Sequence, residues 1–239
     1  MLLKKKTKII LKKNINSINE FLTQLYSQVD YSIKNKKFPL TLGGDHSIAI
    51  ASVLSSLKNN DDLGVIWIDA HADFNTFETT ETGNIHGLPL AAVCGLCPEL
   101  TNHLQEKFIN PKKCVIVGAR SIDKEEANNL KKYGVTFFST QELKKDGINK
   151  IMDKAFKIAG NKVHISYDLD IIDPQIAKGV SVPEKNGINE IEAKEIIKYL
   201  KTKIELIKSF DLVEYNPTFD NDKQTLYLAN KLLNLFINN

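Results

Sequence analysis

The sequence predicts an α/β chain, a single-domain three-layer α/β/α arrangement around a mainly parallel sheet. Six short apolar runs each end in polar residues, and longer stretches of helical periodicity separate them. Strand alternating with helix builds βαβ units, whose crossover helices cover both faces of a parallel sheet. No Pro/Gly/Ser-rich linker, internal repeat or low-complexity tract interrupts the 239 residues, so residues 1–239 are read as one domain.

The first thirteen residues carry Lys4, Lys5, Lys6, Lys8, Lys12 and Lys13 around a β-prone stretch, Thr7 to Leu11, read as a solvated edge strand guarded by lysines. Ser17 is followed three residues later by Glu20, and Ile18, Phe21, Leu22, Leu25, Tyr26 and Val29 recur at helical spacing. That pattern predicts an amphipathic helix capped by Ser17. Strands are expected at 39–42, 65–68, 115–117, 135–138, 163–167 and 207–213. Helices are expected at 47–57, 88–93, 124–132, 148–159, 189–203 and 222–236.

Composition narrows the function. With 32 Lys plus Arg against 29 Asp plus Glu the net charge is only +3, too small an excess to point to nucleic acid as partner. Three cysteines make an odd count in a chain that is not Cys-dense, so reduced thiols are expected rather than a disulfide framework. No apolar run reaches the ~18 residues of a membrane span, and the start Met-Leu-Leu-Lys-Lys-Lys lacks the pattern of a cleaved leader. A cytoplasmic protein without membrane contact is expected.

In a parallel sheet, ligands bind at the carboxyl ends of the strands, and three expected strands end there in carboxylates and imidazoles. These are Gly43-Gly44-Asp45-His46-Ser47, Asp69-Ala70-His71-Ala72-Asp73 and Asp168-Leu169-Asp170. If the chain stays extended, a strand's period of two puts Asp69, His71 and Asp73 on one face, and Asp168 with Asp170. So many carboxylates in one cleft repel each other unless cations neutralise them. Two divalent ions fit the count, with His46 and Asp73 completing one, His71 and Asp170 the other, and Asp69 and Asp168 bridging. Mostly carboxylate ligands with one imidazole per ion favour manganese over zinc, with cobalt, nickel and iron as alternatives. Ions ~3.5 to 4 Å apart hold a bridging water and lower its pKa towards neutrality. One such motif alone is commonly a capping device; three together, each after a buried-strand pattern, are specific.

Gly-Gly-Asp-His-Ser at 43–47, Asp-Ala-His-Ala-Asp-Phe-Asn-Thr at 69–76, Gly-Asn-Ile-His-Gly at 83–87, Ser-Tyr-Asp-Leu-Asp-Ile-Ile-Asp-Pro at 166–174 and Glu-Tyr-Asn-Pro at 214–217 resemble the ureohydrolase family. The arginase branch is the most similar. The resemblance implies two Mn(2+) per chain, held by His46, Asp69, His71, Asp73, Asp168 and Asp170. It further implies that Asp73 hydrogen-bonds the nucleophile and passes its proton to the leaving amine, that His86 shuttles protons, and that Glu214 receives the substrate guanidinium. The resemblance also implies that Asn75, Thr80, Thr82 and Asn84, at the spacing where arginases place such contacts, meet a substrate α-carboxylate, and that Asp123 meets an α-amino group. The activity so implied is hydrolysis of L-arginine to urea and L-ornithine by a homo-oligomer, trimer or hexamer, with a formimidoylglutamase, an agmatinase or a catalytically degraded metal-binding member as the alternatives.

Two stretches depart from the family pattern. The part before Gly43 (residues 1–42) is short, without the family's first strand and following helix, so either the lysine-rich stretch substitutes at the sheet edge or the chain is a minimal or degraded member. Gly179-Val180-Ser181-Val182-Pro183 replaces a Gly-Thr-Pro-Val type loop, leaving a threonine contact missing at Val180, and it also resembles formimidoylglutamase members. Cys94, Cys97 and Cys114 are read as buried thiols rather than a zinc or redox site, His164 as a hydrogen-bonded core residue, His103 as surface and Trp67 as core.

Overall fold

The computed structural model describes residues 2–238, with side chains described from Ile15 to Asn238. Helix α1 runs over Leu2–Lys34. The stretch expected as an edge strand at 7–11 is therefore helical, and Ser17 lies inside the helix rather than capping it. Local β-propensity is weak against a continuous seam, and Leu11, Ile15, Ile18, Leu22, Leu25 and Val29 repeat at intervals of three and four. Leu22 is fully buried, with Tyr26 and Val29 nearly so. These residues pack on α2 (Ala49–Asn59), whose Ser55 hydroxyl donates to the Tyr26 carbonyl at 2.9 Å. The lysine side chains at 4–13 lie outside those described.

Strands β1 (Leu40–Leu42), β2 (Gly64–Ile68), β3 (Cys114–Ala119), β4 (Thr136–Ser139), β5 (Val163–Asp168) and β6 (Ile207–Val213) form one sheet in the order β1-β6-β5-β2-β3-β4. Every pairing is parallel. Among the described residues β1 pairs only with β6, so the lysine-rich stretch, which is helical, does not substitute at the sheet edge; from Ile15 onward α1 packs on one face of the sheet.

The remaining helices are α3 (Pro89–Val93), α4 (Pro98–Thr101), α5 (Lys124–Tyr133), α6 (Thr140–Asp146), α7 (Ile148–Ala159), α8 (Glu190–Thr202) and α9 (Gln224–Ile237). Alternate strand residues feed opposite cores, as the pleat requires. Val65 and Trp67 join α1, α2 and α3 in one apolar cluster, while Ile66 and Ile68 join α7, α8 and α9 in the other. Helix, sheet and helix thus stack as the expected three layers. Strands and helices expected from Gly43 onward fall within two residues of their observed bounds, whereas α4 and α6 were not expected. Helix α6 carries a capping box, with the Glu142 amide donating to Ser139 Oγ and the Ser139 amide to Glu142 Oε2.

His164 is buried in the sheet as expected, with Nδ1 2.6 Å from Ser209 Oγ and Nε2 3.1 Å from Asp211 Oδ2. His103 is exposed. All three cysteines are buried and free, and it is Cys94 and Cys114, not the sequence neighbours Cys94 and Cys97, whose sulfurs approach, at 3.6 Å. No helix among the described residues is long and apolar enough to cross a membrane.

Candidate metal centre and substrate cleft

Strand order brings the carboxyl ends of β1, β6, β5 and β2 side by side, and the segments leaving them carry His46, Glu214, Asp168 with Asp170, and Asp69 with His71 and Asp73. The extended run expected after β2 does not continue. The chain turns at Asp69, whose Oδ1 accepts from the His71 amide at 2.6 Å, and Asp73 adopts a left-handed φ of 49°. Likewise Asp168 caps a short 3-10 turn, accepting from the Asp170 amide at 2.7 Å. These carboxylates converge through turns that their own oxygens cap. Gly118 on β3 allows the close approach, since a Cβ there would lie 2.5 Å from Ile171 Cδ1.

His46 Nδ1 lies 3.0 Å from Asp168 Oδ2, 3.1 Å from Asp69 Oδ2 and 3.2 Å from Asp73 Oδ2. His71 Nδ1 lies 2.8 Å from Asp170 Oδ2 and 3.5 Å from Asp69 Oδ1. His46, Asp69 and Asp168 form one trio of converging ligand atoms, and Asp69, His71 and Asp170 a second. Asp69 is common to both, as a bridging ligand must be; Asp168 belongs to the first only. The His46 ring is held from behind by Ser166 Oγ at 2.8 Å from Nε2 and by stacking on Trp67 at 4.0 Å.

Four buried carboxylates so close together strain each other's ionisation. Burial, then the neighbouring Asp69 charge, pushes Asp170 up to about 6, and burial with Asp170 and Asp69 drives Asp168 well above the usual carboxylate range. Burial opposes the charged form of His46, but Asp168, Asp69 and Asp73 outweigh it and raise its pKa well above the ordinary value. His46 Nδ1 and Asp69 Oδ2 are buried yet have no hydrogen-bond partner. Orphaned donor atoms aimed at one point, in a carboxylate-rich set with one imidazole per trio, are what a pair of hard divalent cations requires.

Above the trios opens a cleft of about 240 Å³. Asn75, Thr80, Thr82, Asn84 and Asp123 all line it, as do His86 and Glu214. Asn75 Nδ2 donates to Asp123 Oδ2 at 3.2 Å. Thr80 and Thr82 hydroxyls accept from the Gly83 and Asn84 amides, so they shape the turn while their own protons stay available to a ligand. Glu214 adopts φ 63°, and its Oε1 accepts from the His46 amide at 2.7 Å. Burial lifts its carboxyl to about 7. His86 Nδ1 lies 3.6 Å from Asp45 Oδ2, and this carboxylate raises the histidine's pKa. Val180, read from the sequence as the place of a missing threonine contact, is buried and does not line the cleft; Val182 is the apolar side chain that does.

Sequence reasoning gave no role to Asp45, Ser121, Glu126, Ser166 or Glu184. Glu126, buried and pushed up to about 8 mainly by burial, accepts from the Phe74 amide at 2.8 Å and the Asp123 amide at 3.3 Å, tying the turn after β2 to the start of α5. Its spacing from Asp123 is a capping-box signal visible in the sequence; the others meet the site across tens of residues, which no local pattern encodes. Among the described residues, no Lys or Arg side chain lines the cleft.

The family model "Arginase family" matches residues 5–237. The chain belongs to the arginase family. Arginase of Bacillus subtilis (strain 168) is 40% identical over 217 residues, covering 89% of this chain and 73% of the relative. A crystal structure of arginase from Bacillus subtilis superposes with a TM-score of 0.90 at 38% identity, covering 95% of this chain and 78% of that one. The arginase of Entamoeba histolytica in complex with L-ornithine superposes with a TM-score of 0.86 at 29% identity, over 95% of this chain and 78% of that one. The chain is accordingly a hydrolase acting on guanidino groups.

Proposed function

We propose that this family member hydrolyses L-arginine to urea and L-ornithine, using two manganese ions held by His46, Asp69, His71, Asp73, Asp168 and Asp170. Two buried trios sharing Asp69 beneath an acidic cleft are the observation that carries this reading. When bound, the ions neutralise the carboxylates and acidify a water enough for it to act as nucleophile near neutral pH.

The side chains divide the remaining work. Glu214 offers a carboxylate to the planar guanidinium, a charge-assisted contact that orients the carbon to be attacked. Asp73, within 3.2 Å of His46 on the cleft side, takes the nucleophile's proton and delivers it to the leaving amine. His86, partly exposed and paired with Asp45, moves protons between the cleft and bulk water. Asn75, Asn84 and the Thr80 and Thr82 hydroxyls supply neutral donors for the α-carboxylate, and Asp123 receives the α-amino group.

The acidic lining also ranks the alternatives. Formimidoylglutamate would bring two carboxylates to a cleft that holds Asp123 and Glu184 and has no Lys or Arg among its described lining residues, an arrangement penalised by like-charge repulsion. Agmatine, lacking the α-carboxylate, leaves the Asn and Thr donors unpaired. The soluble, oligomeric and cytoplasmic character expected from the sequence belongs to the same proposal. Urea release from arginine, agmatine and formamide release from formimidoylglutamate, each assayed with manganese, test it. Arginine is the expected substrate, and equal or better turnover of either competitor overturns the assignment.

A further inference from the structure

The two histidines of the paired trios are not held alike. Each points Nδ1 into the carboxylate cluster, so each must keep its proton on Nε2 to leave a lone pair for a cation, and that N–H needs an acceptor behind it. His46 has one in the Ser166 hydroxyl at 2.8 Å. His71 Nε2 is buried without a hydrogen-bond partner, and the group facing it is the Glu184 carboxylate, with Oε1 3.6 Å away.

Glu184 is not a stray surface acid. Ser121 Oγ donates to the same Oε1 at 3.0 Å. One guanidinium ties its backbone to the site: Arg120 Nη2 donates to the Glu184 carbonyl at 3.0 Å and to the Asp170 carbonyl at 2.7 Å, while Nε donates to the Lys185 carbonyl at 3.0 Å. The segment carrying Glu184 is thereby fixed to the turn carrying Asp170, the carboxylate nearest His71 Nδ1. The Glu184 side chain remains one-third exposed, which leaves it free to close the last few tenths of an ångström.

We propose that Glu184 is the positioning residue for His71: by accepting the Nε2 proton it fixes the tautomer and strengthens Nδ1 as a donor, so that the cation on the His71 side is held more tightly than its neighbour. A carboxylate behind a ligating imidazole raises its basicity more than a hydroxyl does, which gives the two sites unequal affinity. The inference rests on the dinuclear reading above.

Manganese titration of the full chain, followed by equilibrium dialysis and metal analysis, tests both separately. Wild type is expected to bind two ions with unequal affinity. Glu184→Leu should weaken one site by ~10- to 100-fold and leave the other unchanged. Glu184→Gln, whose amide oxygen still accepts from Nε2 but carries no charge, should recover part of that loss, a rescue that a merely structural role would not produce. The metal-free melting temperatures of both variants should match wild type, which separates ligand positioning from folding. Two unaltered sites in Glu184→Leu, equal weakening of both, or a Gln variant as weak as Leu overturns the inference while the metal centre stands. A wild-type chain that binds no manganese removes the centre itself.

Discussion

Stripping the metal should make the chain's stability fall as pH rises, and restoring it should cancel most of that slope. The sign follows from the cluster. Asp170 is raised from 3.8 to about 6, so between those pH values the folded chain keeps a proton that the unfolded chain has released, and stability declines across that window. His46 and His71 are raised as well, so the decline continues above 6.5, where the unfolded imidazoles have lost their protons and the folded ones have not. Raising Asp170 from 3.8 to about 6 corresponds to ~3 kcal/mol, and for this group, fully buried, little is lost to solvent screening. At ~2–4 °C per kcal/mol for a chain of this size, the chelated protein should melt roughly 6–12 °C lower at pH 7 than at pH 4 from this group alone. Manganese needs the deprotonated ligands, so its stabilisation grows with pH, reaching ~4 kcal/mol at a thousandfold excess over Kd. Calorimetry from pH 4 to pH 8 with manganese and with chelator is the assay. A loaded-minus-chelated gap in melting temperature that stays constant across that range, or a chelator without effect, would refute the electrostatic account of the cluster.

Other outcomes follow from single contacts. His86→Asn keeps every proposed metal ligand, so metal content should be unchanged while turnover drops by ~100- to 10,000-fold, with partial recovery in imidazole buffer; wild-type turnover would show that the proton takes another path. Asn75→Ala removes a donor set against the α-carboxylate, the one group agmatine lacks, and should narrow the preference for arginine over agmatine by on the order of tenfold or more, measured as a ratio of kcat/KM; an unchanged ratio would show that Asn75 does not read the carboxylate. Trp67→Ala empties a fully buried site beneath His46 and should cost about 3–5 kcal/mol in denaturant unfolding together with weaker metal retention; loss of stability with unchanged metal affinity would mean the stack does not orient the imidazole.

The parallel sheet was legible because its strands are buried on both faces: Val65–Ile68 reads as an unbroken apolar run and Val163–Tyr167 as one broken only by His164 and Ser166, both closed by acids, a pattern with few alternatives. The first helix was not, since Thr7 to Leu11 taken alone is β-prone and the seam joining Leu11 to Ile15 and Ile18 emerges only over several turns. Helix α6 was missed although Ser139 and Glu142 carry its capping box, because the apolar signal there is short. Within the candidate site, the motifs pointed to residues that the structure brings together, while the turns that bring them together were not legible. Asp69, His71 and Asp73 converge through a turn capped by Asp69 itself, not through strand alternation. Pairs such as Asp45 with His86 and Glu184 with His71 depend on which strands are neighbours in the sheet, which a linear pattern does not specify.

Asp73 and Glu214 share a backbone feature, left-handed φ values of 49° and 63° at residues that are not glycine. Such conformations cost on the order of 1–3 kcal/mol each, less for Asp than for Glu, and glycine would adopt them freely. Both positions also hold carboxylates that burial destabilises. Heat resistance and turnover therefore pull in opposite directions at these two points: a laboratory selection scored on thermal survival alone would enrich Glu214→Gly, yielding a sturdier chain that has discarded its grip on the guanidinium.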